Sequence, residues 1–255
     1  MALSTFAGGR LWGARYGTGA PWVLALHGWS RDHHDWDQVL DGLDAVAVDL
    51  PGHGIAPEPP EPWSTQQYAQ WVAPALRDLA DGPVVVAGHS FGARVAVQLA
   101  AVHTEDFAAG TGVGGYISAL VLVGAPLAPA PGVGGARPSF VYSAGRALNR
   151  IGFLPDHRME RLRQRHGSDD YRQASPVMRG VLVKAVRETA SAAYVPLLRS
   201  WASAGRPVDL VWGERDSQAS FAGVSSCLDG IESTTATVVP GTGHLMRGDL
   251  ADAVR

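Results

Sequence analysis

Six short, continuous apolar runs recur along the chain and constrain its fold more than any other feature. Each contains β-branched or other strand-forming residues and lies between Gly, Asp or Pro residues, which is typical of strands buried on both faces of a parallel sheet. The runs are Trp22 to Leu26, Ala45 to Val48, Val84 to Ala87, Ala119 to Val123, Val208 to Trp212 and Ala236 to Val239. Segments with helical spacing of apolar residues, such as 66–79 and 91–102, lie between them. This alternation predicts an α/β fold with a doubly wound, mostly parallel sheet.

The alternation of strands and helices breaks between Leu127 and Trp201. This stretch opens with a cluster of Pro and Gly and continues with helical patterns whose polar faces are rich in Arg. The helices predicted there are Ser139 to Asn149, His157 to His166, Ser175 to Thr189 and Ala190 to Ala204. We therefore predict that residues 1–126 and 202–255 form the core, and that residues 127–201 form a helical cap over one edge of the sheet.

Composition and charge exclude several classes of partner. The chain has 255 residues, 46% of them hydrophobic, which is enough for a large folded core. Its 21 basic and 24 acidic residues give a net charge of −3 without any run of like charge, which argues against binding to nucleic acid or to an anionic membrane surface. The uncharged stretch 108–136 is interrupted by Gly and Pro, so no membrane span is expected. Cys227 is the one cysteine and the N-terminus lacks a secretion-signal pattern, so we expect a reducing, cytoplasmic location.

A Gly-x-Ser-x-Gly motif, Gly88 to Gly92, lies directly between a buried run and a helical pattern. A nucleophile elbow has this composition because its serine lies on a strained turn, and the flanking glycines allow the backbone to approach closely. Such a turn places the hydroxyl of Ser90 at a helix N-terminus, where N–H groups favour developing negative charge. The pattern predicts that Ser90 is a nucleophile, and the alternative is an ordinary glycine-rich turn.

A serine nucleophile needs a histidine base that a carboxylate orients. His244 follows the last apolar run, and Asp216 follows the run before it. The carboxyl ends of parallel strands meet at one edge of a sheet, so these side chains can meet Ser90 there. We predict the catalytic residues Ser90, Asp216 and His244. Glu214 is the competing acid, and a loop histidine and a helix N-cap are the alternative roles of His244 and Asp216.

The backbone N–H groups of Trp29 and Phe91 are the predicted oxyanion hole. Trp29 follows the first long apolar run in the sequence His27-Gly-Trp, and Phe91 follows the serine. The segment 49–54, Asp-Leu-Pro-Gly-His-Gly, is expected to form a tight turn at the entrance of the same site. His27 and His89 are expected to have a structural role, because an imidazole at a buried strand end can bond backbone groups.

Five motifs resemble those of the α/β-hydrolase superfamily along nearly the whole chain. They are His27-Gly-Trp29, Asp49-Leu-Pro-Gly-His-Gly54, Gly88-His-Ser-Phe-Gly92, Trp212-Gly-Glu-Arg-Asp216 and Gly243-His244. Within the superfamily the pattern is similar to small bacterial carboxylesterases such as the pimeloyl-carrier-protein methyl ester esterases. The resemblance implies a serine esterase that needs no cofactor and no metal, with a small-molecule ester as substrate.

The candidate substrate-binding residues are Trp29, Phe91, Phe140 and Met178. In the esterases that the chain resembles, the residue matching Trp29 lines the substrate site. The apolar residues of the predicted cap, Phe140 and Met178 among them, favour a hydrophobic acyl group.

Other interpretations of the sequence stay open or are disfavoured. The same triad could serve carbon–carbon bond hydrolysis, cofactor-free perhydrolysis, or a ligand receptor built on a hydrolase scaffold. The glycine-rich segment 110–115 precedes a strand and does not follow one, which argues against dinucleotide binding. The cluster His33-His34-Asp35 is expected to cap a helix and not to bind a metal. The sequence predicts no oligomeric state.

Overall fold

The structure is a computed structural model and describes residues 2–79, 82–108, 116–129 and 168–255. In these ranges the strands are β1 Ala2–Phe6, β2 Leu11–Tyr16, β3 Val23–Leu26, β4 Ala45–Asp49, β5 Pro83–His89, β6 Tyr116–Val123, β7 Val208–Gly213 and β8 Thr234–Val239. They form one sheet in the order β1-β2-β4-β3-β5-β6-β7-β8. Strands β3 to β8 are parallel, and β1 and β2 add an antiparallel hairpin at the edge beside β4.

Helices connect the parallel strands. Those in the described ranges are α1 Asp37–Leu40, α2 Thr65–Val72, α3 Phe91–Ala108, α4 Asp169–Gln173, α5 Pro176–Ala190, α6 Val195–Ser203, α7 Phe221–Ser225 and α8 Asp249–Val254, with 3-10 helices at His33–Trp36 and Ala73–Asp78. The helix predicted over 66–79 splits into α2 and a 3-10 helix at Pro74, which has no N–H for an α-helical bond. No helix in the described ranges is long and apolar enough to cross a membrane.

Both faces of the parallel sheet are covered. Leu24 and Leu26 of β3 point to one face, where they belong to a buried cluster that includes α2 and α3. Ala25, between them, points to the other face and packs in a second cluster with Trp36 and with Leu250 of α8. All four residues of β3 are buried, as the continuous apolar run predicts. The predicted α/β fold with its doubly wound, mostly parallel sheet is confirmed.

The N-terminal hairpin was not among the predicted strands. Most of β1 is exposed, so it has little apolar pattern to detect. In β2, Gly13 lies opposite Val48 of β4. A side chain at Gly13 would overlap the carbonyl oxygen of Ala47, so the close pairing of these two strands requires a glycine there. A glycine inside a short apolar run weakens the sequence pattern of a strand, which explains why β2 was not predicted.

The structure describes part of the predicted cap, residues 127–129 and 168–201. α5 agrees with the helix predicted over 175–189. α6 begins at Val195 and not at 190, because the chain turns at Ala192, whose φ is +53°. α4 was not predicted, and the helices predicted over 139–149 and 157–166 lie outside the described residues. The division into a core and a cap therefore stays a prediction.

A partly buried polar cluster joins α5 and the segment before α6 to the start of α2. The carboxylate of Glu188 on α5 accepts hydrogen bonds from the hydroxyls of Thr65 and Tyr194, each at 2.7 Å. Thr65 is the first residue of α2, and Tyr194 precedes α6. Burial is the largest cause of the raised pKa of Tyr194, so its hydroxyl remains a donor at neutral pH. The three side chains fix the start of α2 against α5.

Gly13→Ala tests the strand pairing at the edge of the sheet. We expect it to lower the free energy of unfolding by about 1–3 kcal/mol, because the added methyl group forces β2 and β4 apart. Gly82→Ala is the matched control, since no atom lies within 4 Å of a Cβ at that position. Urea denaturation measures both variants. Equal stabilities of the two would contradict the close contact.

Candidate active site

The turn between β5 and α3 holds Ser90 in a strained conformation. Its φ is +50°, in the left-handed region that a residue with a Cβ rarely adopts. The N–H of Ser90 donates to the carbonyl oxygen of Val123 on β6 at 2.9 Å, which ties the turn to the neighbouring strand. A side chain at Gly92 would overlap the carbonyl oxygen of Leu26, so this glycine lets α3 start directly above β3. The sequence-predicted elbow motif therefore has the geometry that lifts a serine out of a sheet.

Three side chains from three strand ends meet beside this turn. Nε2 of His244 lies 2.9 Å from Oγ of Ser90, and Nδ1 of His244 lies 2.7 Å from Oδ2 of Asp216. The side chains of His244 and Asp216 are 8% and 1% exposed, so water reaches this hydrogen-bond chain poorly. Glu214, the competing acid, instead accepts a hydrogen bond from the N–H of Gly241.

The second oxygen of Asp216 orders the loop after β7. Oδ1 accepts hydrogen bonds from the N–H groups of Gln218 and Ala219, at 2.8 and 3.0 Å. Burial alone would raise the pKa of Asp216, but the hydrogen bond from His244 and those two N–H groups hold that pKa below its ordinary value. Asp216 is therefore a fixed carboxylate. It does not cap the helix that follows, because the N-cap of α7 is Ser220. The oxygen that does not face His244 orders the turn before that helix.

The predicted oxyanion donors lie on both sides of the serine turn. Among the described residues, the N–H groups of Trp29 and Phe91 have no hydrogen-bond acceptor. The Trp29 ring packs edge-on against the rings of Phe91 and His53, with centroids 5.4 and 4.9 Å apart. The Phe91 side chain is fully buried, so it supports the Trp29 ring from below. The oxyanion hole stays a prediction.

A model of the alpha/beta hydrolase family matches residues 23–255, which include every strand of the parallel sheet and all three side chains of the hydrogen-bond chain. The chain belongs to the alpha/beta hydrolase family. Among solved structures, the thioesterase domain from the curacin biosynthetic pathway superposes on this chain with a TM-score of 0.64. At 22% identity it covers 99% of this chain and 96% of that domain, which shows a shared fold.

Curated relatives match shorter segments of this chain. An esterase of Mycobacterium tuberculosis is 45% identical over 91 residues, which make up 34% of this chain and 30% of that esterase. A pimeloyl-acyl-carrier-protein methyl ester esterase of Neisseria meningitidis is 38% identical over 87 residues, 32% of this chain and 32% of that enzyme. The matched segments thus span about a third of the length of either relative.

His89 binds the backbone of His244, the histidine of the hydrogen-bond chain. Its Nε2 donates to the carbonyl oxygen of His244 at 2.8 Å, so this ring nitrogen carries a proton. Burial and then the proximity of His244 lower the pKa of His89 to about 4, which keeps the imidazole neutral. Its Nδ1 lies 3.9 Å from Oδ2 of Asp35, and the other oxygen of Asp35 accepts hydrogen bonds from Arg31. The buried side chain of His89 thus fixes the backbone of the loop that carries His244.

His27 also bonds backbone groups, as the sequence predicts for both histidines. Its Nε2 accepts the N–H of Leu50 at 2.9 Å and its Nδ1 donates to the carbonyl of Gly28 at 2.7 Å. Burial lowers the pKa of His27, so it is neutral. These two bonds hold the loop after β3, which contains Trp29, against the loop after β4.

The loop 49–54 forms the predicted tight turn around a buried carboxylate. One oxygen of Asp49 accepts hydrogen bonds from the backbone and ring of His33, both at 2.8 Å, and the other accepts the N–H of Ile55. The side chain of His33 is thus bonded to Asp49. Asp32 caps a 3-10 helix that contains the cluster His33-His34-Asp35, whereas the cluster itself was expected to cap the helix that follows. The described residues contain no group of three or more side chains that could hold a metal ion.

Met178 and Phe140, the other two candidate substrate-binding residues, belong to the predicted cap. Met178 on α5 is buried, and its sulfur lies 3.9 Å from the hydroxyl of Tyr68. A side chain at Gly52 would overlap Met178, so the tight turn of loop 49–54 packs directly on α5. Phe140 lies outside the described residues. Whether these residues contact a substrate stays a prediction.

Two contributors to the site were missed from the sequence. Gly124 has a φ of +49°, and a Cβ there would lie 3.0 Å from Oδ2 of Asp216 and 3.1 Å from Nδ1 of His244. Arg94, buried one turn after the serine, donates to the carbonyl oxygen of Pro126 at 3.3 Å and so fixes the loop that contains Gly124. The sequence offered one signal for each residue. Gly124 stands directly after the apolar run 119–123, and Arg94 is a cation in the mostly apolar first half of α3.

The buried neutral histidines predict a pH dependence of stability. His53, whose pKa burial lowers to about 3, and His89 take up protons only on unfolding, so stability is lost as the pH falls from 6.5 towards 4. We expect His89→Gln to reduce the slope of unfolding free energy against pH in this window by about one proton. Urea titrations at several pH values measure the slope.

His34→Gln is the control for this measurement. His34 is exposed, and its hydrogen bond to Asp37 raises its pKa, so both the folded and the unfolded state hold its proton below about pH 5.5. Its removal should leave the slope between about pH 4.5 and 5.5 unchanged. If His89→Gln also leaves the slope unchanged, the neutral state of His89 is wrong.

Proposed function

We propose that this protein is a carboxylic ester hydrolase that acts through Ser90, His244 and Asp216 and an acyl-enzyme intermediate. The observation that carries the proposal is the continuous hydrogen-bond chain from Ser90 through His244 to the carboxylate of Asp216. Its distances suit proton transfer from the hydroxyl to the imidazole, and its serine lies on the strained turn of a nucleophile elbow. The esterase names of two relatives agree with this chemistry.

Acylation begins when Oγ of Ser90 attacks the ester carbonyl carbon and Nε2 of His244 takes its proton. The carbonyl electrons move to the oxygen, and the N–H groups of Trp29 and Phe91 stabilise the resulting oxyanion. Asp216 holds the ring of His244 by its Nδ1–H and offsets the positive charge that the ring acquires. The ester bond to the alcohol then breaks, and His244 gives the proton to the departing alkoxide oxygen.

Deacylation repeats these steps with water as the nucleophile. His244 removes a proton from water, the hydroxide attacks the acyl carbon, and the same donors stabilise the second oxyanion. The bond to Oγ of Ser90 breaks, and the proton returns from His244 to the serine. The products are one alcohol and one carboxylic acid, and no redox change occurs. Met178 and the Trp29 ring are proposed contacts of a small, apolar acyl group.

Ser90→Ala tests this proposal. We expect at least a ~10³-fold lower kcat for p-nitrophenyl butyrate and no labelling by a fluorophosphonate, because the attacking oxygen is gone. Ser226→Ala is the matched control, since this exposed serine hydroxyl bonds only the carbonyl oxygen of Gly223 in the described chain.

The time course separates the proposal from its alternatives. Wild-type protein should release nitrophenol continuously, whereas a ligand receptor would release about one equivalent per chain and stop. Wild-type turnover in Ser90→Ala protein would contradict the assignment of the nucleophile.

A further inference from the structure

A groove of about 450 Å³ opens beside His244. It lies between the loop after β7, which carries Asp216, and the loop after β8, which carries His244. Its walls include Arg215, Ser217, Gln218, Thr242, His244 and Arg247. The groove thus touches the proposed base directly and is built by the two loops that hold the acid and the base.

The charged side chains that line this groove are two arginines. Each of its two loops contributes one exposed arginine, Arg215 and Arg247, and no carboxylate lines the groove. Neither arginine forms an ion pair with an acidic residue in the described part of the chain. Asp216 is engaged by His244, and Glu214 accepts the N–H of Gly241. Two guanidinium groups without an ion-pair partner among the described residues therefore line the same groove as His244, in a chain whose net charge is −3.

The proposed mechanism decides which part of a substrate meets this groove. His244 donates its proton to the oxygen of the leaving alcohol, so this alcohol must lie against the imidazole during acylation. In the proposed mechanism, the acyl group lies towards the other side of Ser90, where the Trp29 loop and Met178 are its proposed contacts. Because the groove on the loops after β7 and β8 is lined by His244 and not by those residues, it is available to the alcohol part of the ester.

We propose that this groove binds an anionic group, a carboxylate or a phosphate, on the alcohol part of the ester. This inference rests on the proposed function. Guanidinium groups match the planar oxygens of carboxylates and phosphates with paired hydrogen bonds, and the hydroxyl of Ser217 and the amide of Gln218 are further donors. Arg215 and Arg247 are binding residues for the leaving group and take no part in proton transfer.

The test compares esters that differ in charge only on the leaving group. The substrates are 4-acetoxybenzoate, its neutral methyl ester and 4-acetoxyphenyl phosphate, each corrected for its rate of uncatalysed hydrolysis. For wild-type protein at low salt we expect kcat/KM to be about tenfold or more higher for an anionic ester than for the neutral one. The ratio should fall as salt screens the arginines. The carboxylate and phosphate substrates show which anion fits better.

Arg215→Gln with Arg247→Gln should bring this ratio close to one. Arg10→Gln is the control, because this arginine stacks on Trp71 far from the groove, and its loss changes the net charge in the same sense. A ratio that is unchanged in the double variant, or near one in wild-type protein that hydrolyses the neutral ester, overturns the groove assignment. Failure of wild-type protein to turn over any of the three esters overturns the proposed function itself.

Discussion

The strained turn at Ser90 is the constraint on which the rest of this structure depends. A left-handed serine is costly, and the surrounding backbone compensates for it by close packing. The bond from its N–H to Val123 anchors the turn to β6, and Gly92 allows α3 to lie against the end of β3. The same contacts that force the hydroxyl out of the sheet also place it at the start of the longest described helix.

A second layer of contacts holds the base against this serine. His89 binds the carbonyl oxygen of His244, Gly124 leaves room for the imidazole and Asp216, and Arg94 fixes the loop that follows Gly124. Each contact joins a different strand end, so the distances between Ser90, His244 and Asp216 follow from the register of the parallel strands. The edge of the sheet therefore fixes the relative positions of these three side chains.

The strands and site residues that can be predicted from the sequence are those that a short stretch of the chain determines. The strands of the parallel sheet are continuous apolar runs because both faces are buried, and Ser90, Asp216 and His244 stand directly after such runs. β1 and β2 lack that pattern, since one is exposed and the other contains Gly13. The structural role of His89 follows from its place at a buried strand end, but its partner, like the roles of Gly124 and Arg94, depends on residues far away in the chain, which no local periodicity encodes. The helices predicted over 139–149 and 157–166 lie outside the described residues.

The location of the acyl group during turnover tests most directly whether Ser90 is the nucleophile. Wild-type protein is mixed with p-nitrophenyl butyrate, quenched in acid within the steady state, digested and analysed by mass spectrometry. We expect a butyryl group on the peptide that contains Ser90, at the hydroxyl of that residue. Turnover with an unmodified Ser90 peptide, or with the acyl group on another side chain, would contradict it.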